Sequence, residues 1–152
     1  MYHYEECGLS NIWLQNGFTI ENDEEFGELV SIQSVHELHN AIGLYLITHK
    51  PELNGEEIRF LRKELNLSQK NLAGLLRVGE SSIRHWEAGR SLIGKPTDLL
   101  LRALYQEHVQ GDGELRQLIE NLNHQERTLV PSEISFSYGN NHSWHQTNCE
   151  IA

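Results

Sequence analysis

The sequence predicts a mainly α protein, five helices in close succession preceded by a small α+β segment, on three observations. Helix-capping residues and helically spaced apolar residues alternate from about residue 54 to residue 122. Short runs of aromatic and β-branched residues, separated by turn formers, occupy the first 33. Of the 152 residues 38 % are hydrophobic and 22 % charged, which supports a compact core, and no run reaches the ~18 apolar residues of a membrane span.

At the front, "NIWLQNGFTIE" sets two such runs on either side of Asn16-Gly17, a dipeptide suited to a tight hairpin turn because both positions favour positive φ. A hairpin is expected there. "ELVSI" alternates well enough to add a third strand, giving a hairpin or three-stranded sheet over roughly residues 11–33. Ser34 followed by Glu37 has the pattern of a capping box, and Val35, Leu38, Ile42 and Leu46 carry a helix to about Thr48. "HKPELNG" ends it.

The five-helix run comes next. Asn54 caps a helix in which Ile58, Leu61 and Leu65 share a face; Ser68 caps another that buries Leu72, Ala73 and Leu76. A third spans about Glu80 to Ala88 and stops at Gly89, a common residue just past a helix end. Pro96 suits the first turn of a helix through "TDLLLRALYQEH", and Asp112 caps "ELRQLIENL". Beyond Gln125 the chain is polar and rich in Asn and His, and is expected to be disordered or ordered by a partner. The expected divisions are therefore 1–52, 53–125 and 126–152.

Formal charge is −10, unevenly spread. Residues 1–52 hold nine acids and one base, residues 53–125 ten of each, and residues 126–152 three acids and one base. From Ile58 to Arg102 nine bases face four acids, a local charge of +5. Screening over a Debye length of roughly 8 Å lets that stretch present its own surface, so an acidic chain does not exclude a polyanionic partner.

Two short helices joined by a tight turn, with Ala73 small where they cross, Val78 in the turn, and Ile83 and Trp86 facing inward, make a helix-turn-helix. That leaves Glu80, Ser81, Arg84 and His85 facing outward as base readers. "LRKELNLSQKNLAGLLRVGESSIRHWEAGRS" resembles the XRE family of phage-repressor-type (lambda repressor and Cro) helix-turn-helix proteins over about residues 55–110, through Leu67-Ser68-Gln69, Leu72-Ala73, Ile83 and Trp86-Glu87-x-Gly89. The resemblance implies a lambda-repressor-like fold and double-stranded DNA as partner. It implies that Gln69 hydrogen-bonds a phosphate, that Ser81, Arg84 and His85 meet base edges, with Arg84 able to make a bidentate contact to guanine, and that Glu87 pairs with Arg62 as a structural ion pair. Lys70, Arg77, Arg90 and Lys95 are further candidates for phosphate. Arg77 stands where the family usually has Gly, a position that often needs positive φ, and Gly79 could take up part of the turn instead. Glu80 would repel phosphate unless it meets a cytosine amino group or caps its own helix; the cap is expected.

A strand-rich segment ahead of a helix-turn-helix is similar to the order of parts in MqsA-type antitoxins, whose front domain binds zinc through two CxxC pairs. Only Cys7 and Cys149 are present here, so neither that site nor a disulfide framework carries over. His36/His39 and the tail group His142, His145 and Cys149 have weak ligand spacing, and no metal or other cofactor is expected. There is no Gly-rich phosphate loop and no HExxH, Cys7 lacks the context of a nucleophile, and "ENDEEFGE" reads as a solvated acidic loop or a patch for a basic partner, so an enzyme is not expected. "MYHYEECGLS" has neither the basic nor the apolar region of a signal peptide, so a cytoplasmic location follows.

The function expected is that of a sequence-specific transcriptional regulator of repressor type, acting as a homodimer because one such motif reads few base pairs alone. The apolar front helix and the last helix (Leu115, Leu118, Ile119, Leu122) are candidate dimer seams. The alternative is an antitoxin whose acidic front segment holds a basic toxin protein and whose DNA binding controls its own operon.

Overall fold

The computed structural model describes residues 1–124 and 132–147. Among the described residues six helices carry the fold: α1 (Val35–His49), α2 (Gly55–Glu64), α3 (Gln69–Leu76), α4 (Glu80–Glu87), α5 (Lys95–Gln110) and α6 (Glu114–His124). Three separate antiparallel strand pairs flank them: β1 (Tyr2–His3) with β2 (Trp13–Leu14), β3 (Phe18–Asp23) with β4 (Gly27–Ile32), and β5 (Ser135–Tyr138) with β6 (Trp144–Thr147). The mainly α class with a small β segment in front is the architecture the sequence predicts.

The strand pairing differs from the expected hairpin. Asn16-Gly17 does not close a turn between β2 and β3; β2 pairs back to β1, with Tyr2 opposite Leu14, and β3 pairs with β4. Burial decides this, because Tyr4, Leu9 and Leu14 are all drawn into the core. Gly17, at φ +80°, redirects the chain between the two pairs. The β3–β4 turn forms instead at the acidic loop, where Asp23 Oδ1 accepts from the amides of Glu25 and Phe26 and Gly27 takes positive φ.

α1 begins where expected, but without its capping box. Ser34 lies in the left-handed region (φ 47°, ψ 54°) and its hydroxyl makes no cap bond. A cap residue needs extended backbone to aim its side chain at the first-turn amides. The box forms one helix later: Asn54 Oδ1 accepts from Glu57 N, and Glu57 Oε1 accepts from Asn54 N, both at 2.9 Å. Ser68 caps α3 through Asn71 N at 3.0 Å, and Asp112 accepts from Glu114 N at 3.2 Å.

One core runs across the 52/53 boundary. Ile42, Leu46 and Ile47 of α1 join Ile58, Phe60 and Leu61 of α2, Leu72 and Leu76 of α3, Ile83 of α4, and Leu101, Leu104 and Tyr105 of α5. Burying each large aliphatic chain stabilises the fold by about 1.5–3 kcal/mol. α1 and α5 cross closely because Gly43 has no side chain: a Cβ there would occupy the place of the Tyr105 ring. The Tyr105 hydroxyl donates to the His39 carbonyl at 3.3 Å. Arg102 reaches the last turn of α1 through Ile47 O at 3.1 Å while Asp98 holds its Nε at 3.0 Å.

The tail corrects a second expectation. Residues 135–147 are not without regular structure: Ser135, Phe136, Ser137 and Tyr138 alternate at the two-residue period of a strand, and the backbone closes through Gly139 N to Ser143 O at 2.9 Å. Polar composition conceals that alternation. Residues 125–131 and Cys149 lie outside the described residues.

Candidate nucleic-acid interface

α3 and α4 form the helix-turn-helix. Ala73 is buried where they cross, Val78 is half-buried in the turn, Ile83 is fully buried, and Trp86 packs half-buried against the core. Arg77 ends α3 in the left-handed region (φ 55°, ψ 44°), so the turn takes its positive φ from an arginine. Gly79, at φ −71°, relieves none of it. The backbone repays Arg77 locally, because the next amide, Val78 N, reaches Ala73 O at 3.0 Å.

With Ile83 and Trp86 turned inward, the opposite face of α4 carries Glu80, Ser81, Arg84 and His85, all exposed. These positions are one and four residues apart, so they form a single patch about two turns long. Glu80 does not cap the helix. Gly79 is the cap residue and makes no side-chain bond, while Glu80 Oε1 lies 3.8 Å from Arg84 Nη1. The pair is solvated, with side chains 44 % and 58 % exposed. A carboxylate one turn ahead of an arginine is held by that attraction.

Gln69 opens α3 and is half-buried, and Lys70 beside it is exposed. Arg90 and Lys95 are exposed at the α4–α5 connection, with Lys95 the first residue of α5. Arg77 is exposed and reaches α6 as well: its Nε donates to Asn123 Oδ1 at 2.6 Å, and Asn123 in turn donates to Gly74 O at 2.9 Å. The sequence placed Arg77 among the phosphate candidates and carried no sign that α6 would hold it.

Behind the motif stands the Arg62–Glu87 pair. Arg62 Nε and Nη2 donate to the two carboxylate oxygens at 2.8 and 2.9 Å, and Nη1 donates to Leu67 O at 3.0 Å. The side chains are 11 % and 6 % exposed. The bond ties α2 to the end of α4 and to the loop that starts α3, which sets the tilt of α4. Gly55 completes the joint, since a Cβ there would run into the backbone carbonyls of Trp86 and Glu87. No sequence spacing points to Gly55.

His39 is half-buried and His36 exposed. Both ring nitrogens of His39 are engaged, Nε2 with the Tyr4 hydroxyl at 2.7 Å and Nδ1 with Glu64 Oε1 at 2.8 Å. The residue thus pins the N-terminal segment to α1 and α2. Among the described residues no group of three His, Cys, Asp or Glu side chains could hold a metal ion. Burial pushes the Cys7 thiol up, away from the thiolate a nucleophile needs. No helix among the described residues is long and apolar enough to cross a membrane.

A helix-turn-helix of α3 and α4 packed among further helices defines the class of DNA-binding helix-turn-helix domains. A family model described as "Helix-turn-helix domain" matches residues 55–130, and the chain belongs to that family. No curated protein and no solved structure matches the chain.

Proposed function

We propose that the protein is a sequence-specific DNA-binding transcriptional regulator of repressor type that acts as a homodimer. The observation that carries this reading is the exposed α4 face of Glu80, Ser81, Arg84 and His85, held on a rigid frame by the buried Arg62–Glu87 pair. Ser81, Arg84 and His85 read base edges in the major groove, and Glu80 orients Arg84 or accepts from a cytosine amino group. Gln69 and Lys70 hold the strand at the start of α3, and Arg90 and Lys95 hold it beyond α4. Arg77 supports the turn through its Nε on Asn123 and offers its Nη groups to a phosphate. Two copies would place their reading helices about 34 Å apart on one face of the duplex. Selection of bound duplexes from a random pool tests the reading: an enriched, two-fold symmetric site is expected, and failure to enrich any site would overturn it.

The β3–β4 hairpin favours a second reading. Glu21, Asp23, Glu24, Glu25 and Glu28 crowd this ribbon with no Lys or Arg on it, and Phe26 at its turn is 72 % exposed. Such a surface suits a basic partner, as in an antitoxin that also controls its operon. Co-purification with a small basic protein encoded beside this chain would favour it.

A further inference from the structure

Beside the reading unit, α6 packs along α3 and leaves a cleft of about 380 Å³ between them. It is lined by Lys70, Asn71 and Gly74 from α3 and by Arg116, Glu120 and His124 from α6. Asn123 fixes the two walls, through Arg77 and through Gly74 O. Gly74 puts no side chain into the cleft, and nothing lies within 4 Å of where one would begin, while Leu67 and Leu75 give the lining its apolar part. Lys70 follows Gln69 at the start of α3, the end of a helix-turn-helix that lies against the sugar-phosphate backbone. On the DNA-binding reading the cleft then adjoins the backbone at the edge of the half-site.

Arg116 is poised for an anion there. Its Nε donates to Glu120 Oε1 at 3.1 Å, which fixes the guanidinium plane. The two Nη groups carry no protein hydrogen bond among the described residues, leaving an end-on fork of the kind that clasps a phosphate. The Arg116–Glu120 pair is 39 % and 38 % exposed, so it is a weak surface pair, and Lys70 and Arg116 outnumber the Glu120 carboxylate in the lining.

We infer that the α3–α6 cleft is a second backbone site, in which Lys70 and Arg116 together hold one phosphodiester of the DNA flanking the half-site. The inference rests on the DNA-binding reading above and extends the interface to α6. The contact carries no sequence information; it lengthens the footprint and raises affinity for every sequence alike.

The test uses the full chain on its selected operator, with affinity followed by fluorescence anisotropy over a salt series. Arg116→Gln and Lys70→Gln should each flatten the salt dependence by the equivalent of about one phosphate. Each would then lose about three- to fourfold less affinity between 50 and 200 mM salt than wild type, with the ranking of sequences unchanged. Arg116→Lys should keep the wild-type slope, and melting curves verify that the variants fold. In duplexes carrying one methylphosphonate at a time, one flanking position should weaken wild type and leave Arg116→Gln unaffected. Unchanged slopes, or no such position, would overturn the inference while the operator still binds. Shifts of Lys70 and Arg116 resonances with inorganic phosphate alone, without any change in slope, would overturn it in favour of a small-anion site. If wild type enriches no operator, the DNA-binding reading falls and the cleft assignment with it.

Discussion

Arg62 and Glu87 meet in a two-pronged ion pair almost sealed from solvent, Nε and Nη2 each donating to one carboxylate oxygen. Removing either partner leaves the other charge buried without compensation, which typically costs about 3–5 kcal/mol. Arg62→Ala and Glu87→Ala should each lower the urea midpoint strongly, and the double variant should be much less destabilised than the sum. A double-mutant cycle with no coupling would show that the pair does not hold α4.

The left-handed arginine in the turn gives a sharper ranking. A non-glycine residue at φ 55° costs on the order of 1 kcal/mol, and the Arg77–Asn123 hydrogen bond offsets part of that. Arg77→Gly should therefore leave stability near wild type, whereas Arg77→Val, β-branched and without the bond, should lose about 2 kcal/mol. Thermal melts of the three proteins measure the order. A valine variant as stable as wild type would remove the strain argument.

Two glycines predict opposite signs for one substitution. Gly74 lies inside α3 with open space about it, so Gly74→Ala should stabilise by roughly 0.5–1 kcal/mol through helix propensity. Gly55 abuts the carbonyls of Trp86 and Glu87, so Gly55→Ala must push α2 and α4 apart and should destabilise. Because it shifts the reading helix, it should also weaken DNA binding beyond what its fold stability explains.

Alkaline pH acts through buried tyrosines. Burial, with Glu64 adding to it, pushes the Tyr105 hydroxyl well above its ordinary value of 10.0, and burial raises Tyr4 as well. The unfolded chain then releases these protons first. Stability is fully present below pH 10 and falls as pH rises beyond it. Equilibrium unfolding at pH 9 to 11.5 should show that decline, and Tyr105→Phe should flatten it. A decline unaltered by the substitution would assign it to other groups.

What could be read from the residues follows the range of the interactions. The caps at Asn54 and Ser68, the Asp112 turn just ahead of α6, the inward Ile83 and the outward Arg84 are set by neighbours a few residues away, and sequence displays them. The Arg62–Glu87 pair spans 25 residues, yet it was legible because the repressor-type pattern fixes both positions. The Asn16-Gly17 turn misled because the preference of a dipeptide is small beside the burial of Tyr4 and Leu14, which decided the pairing. Ser34 kept its place at the head of α1 but lost its cap to a left-handed backbone. Gly55, Asn123 and the Tyr4–His39–Glu64 chain were hidden because each depends on elements that meet only in the folded molecule.

The reading face separates two kinds of loss. Arg84 projects from the exposed side of α4 beside Glu80, so Arg84→Ala should cost about 1–3 kcal/mol on the selected operator and relax preference at one base pair. Gln69 stands at the first position of α3, where the proposed function has it hold the DNA backbone, and Gln69→Ala should weaken all sequences by a similar factor. Neutralising Glu80 as Glu80→Gln frees Arg84 from its partner. If Glu80 only orients Arg84, the preferred base stays and selectivity broadens; if Glu80 reads cytosine, the preference at a second position disappears. Repeating the random-pool selection with each variant yields these profiles. Profiles identical to wild type for Arg84→Ala and Gln69→Ala would leave α4 a structural helix and send the search for a reading surface elsewhere on the molecule.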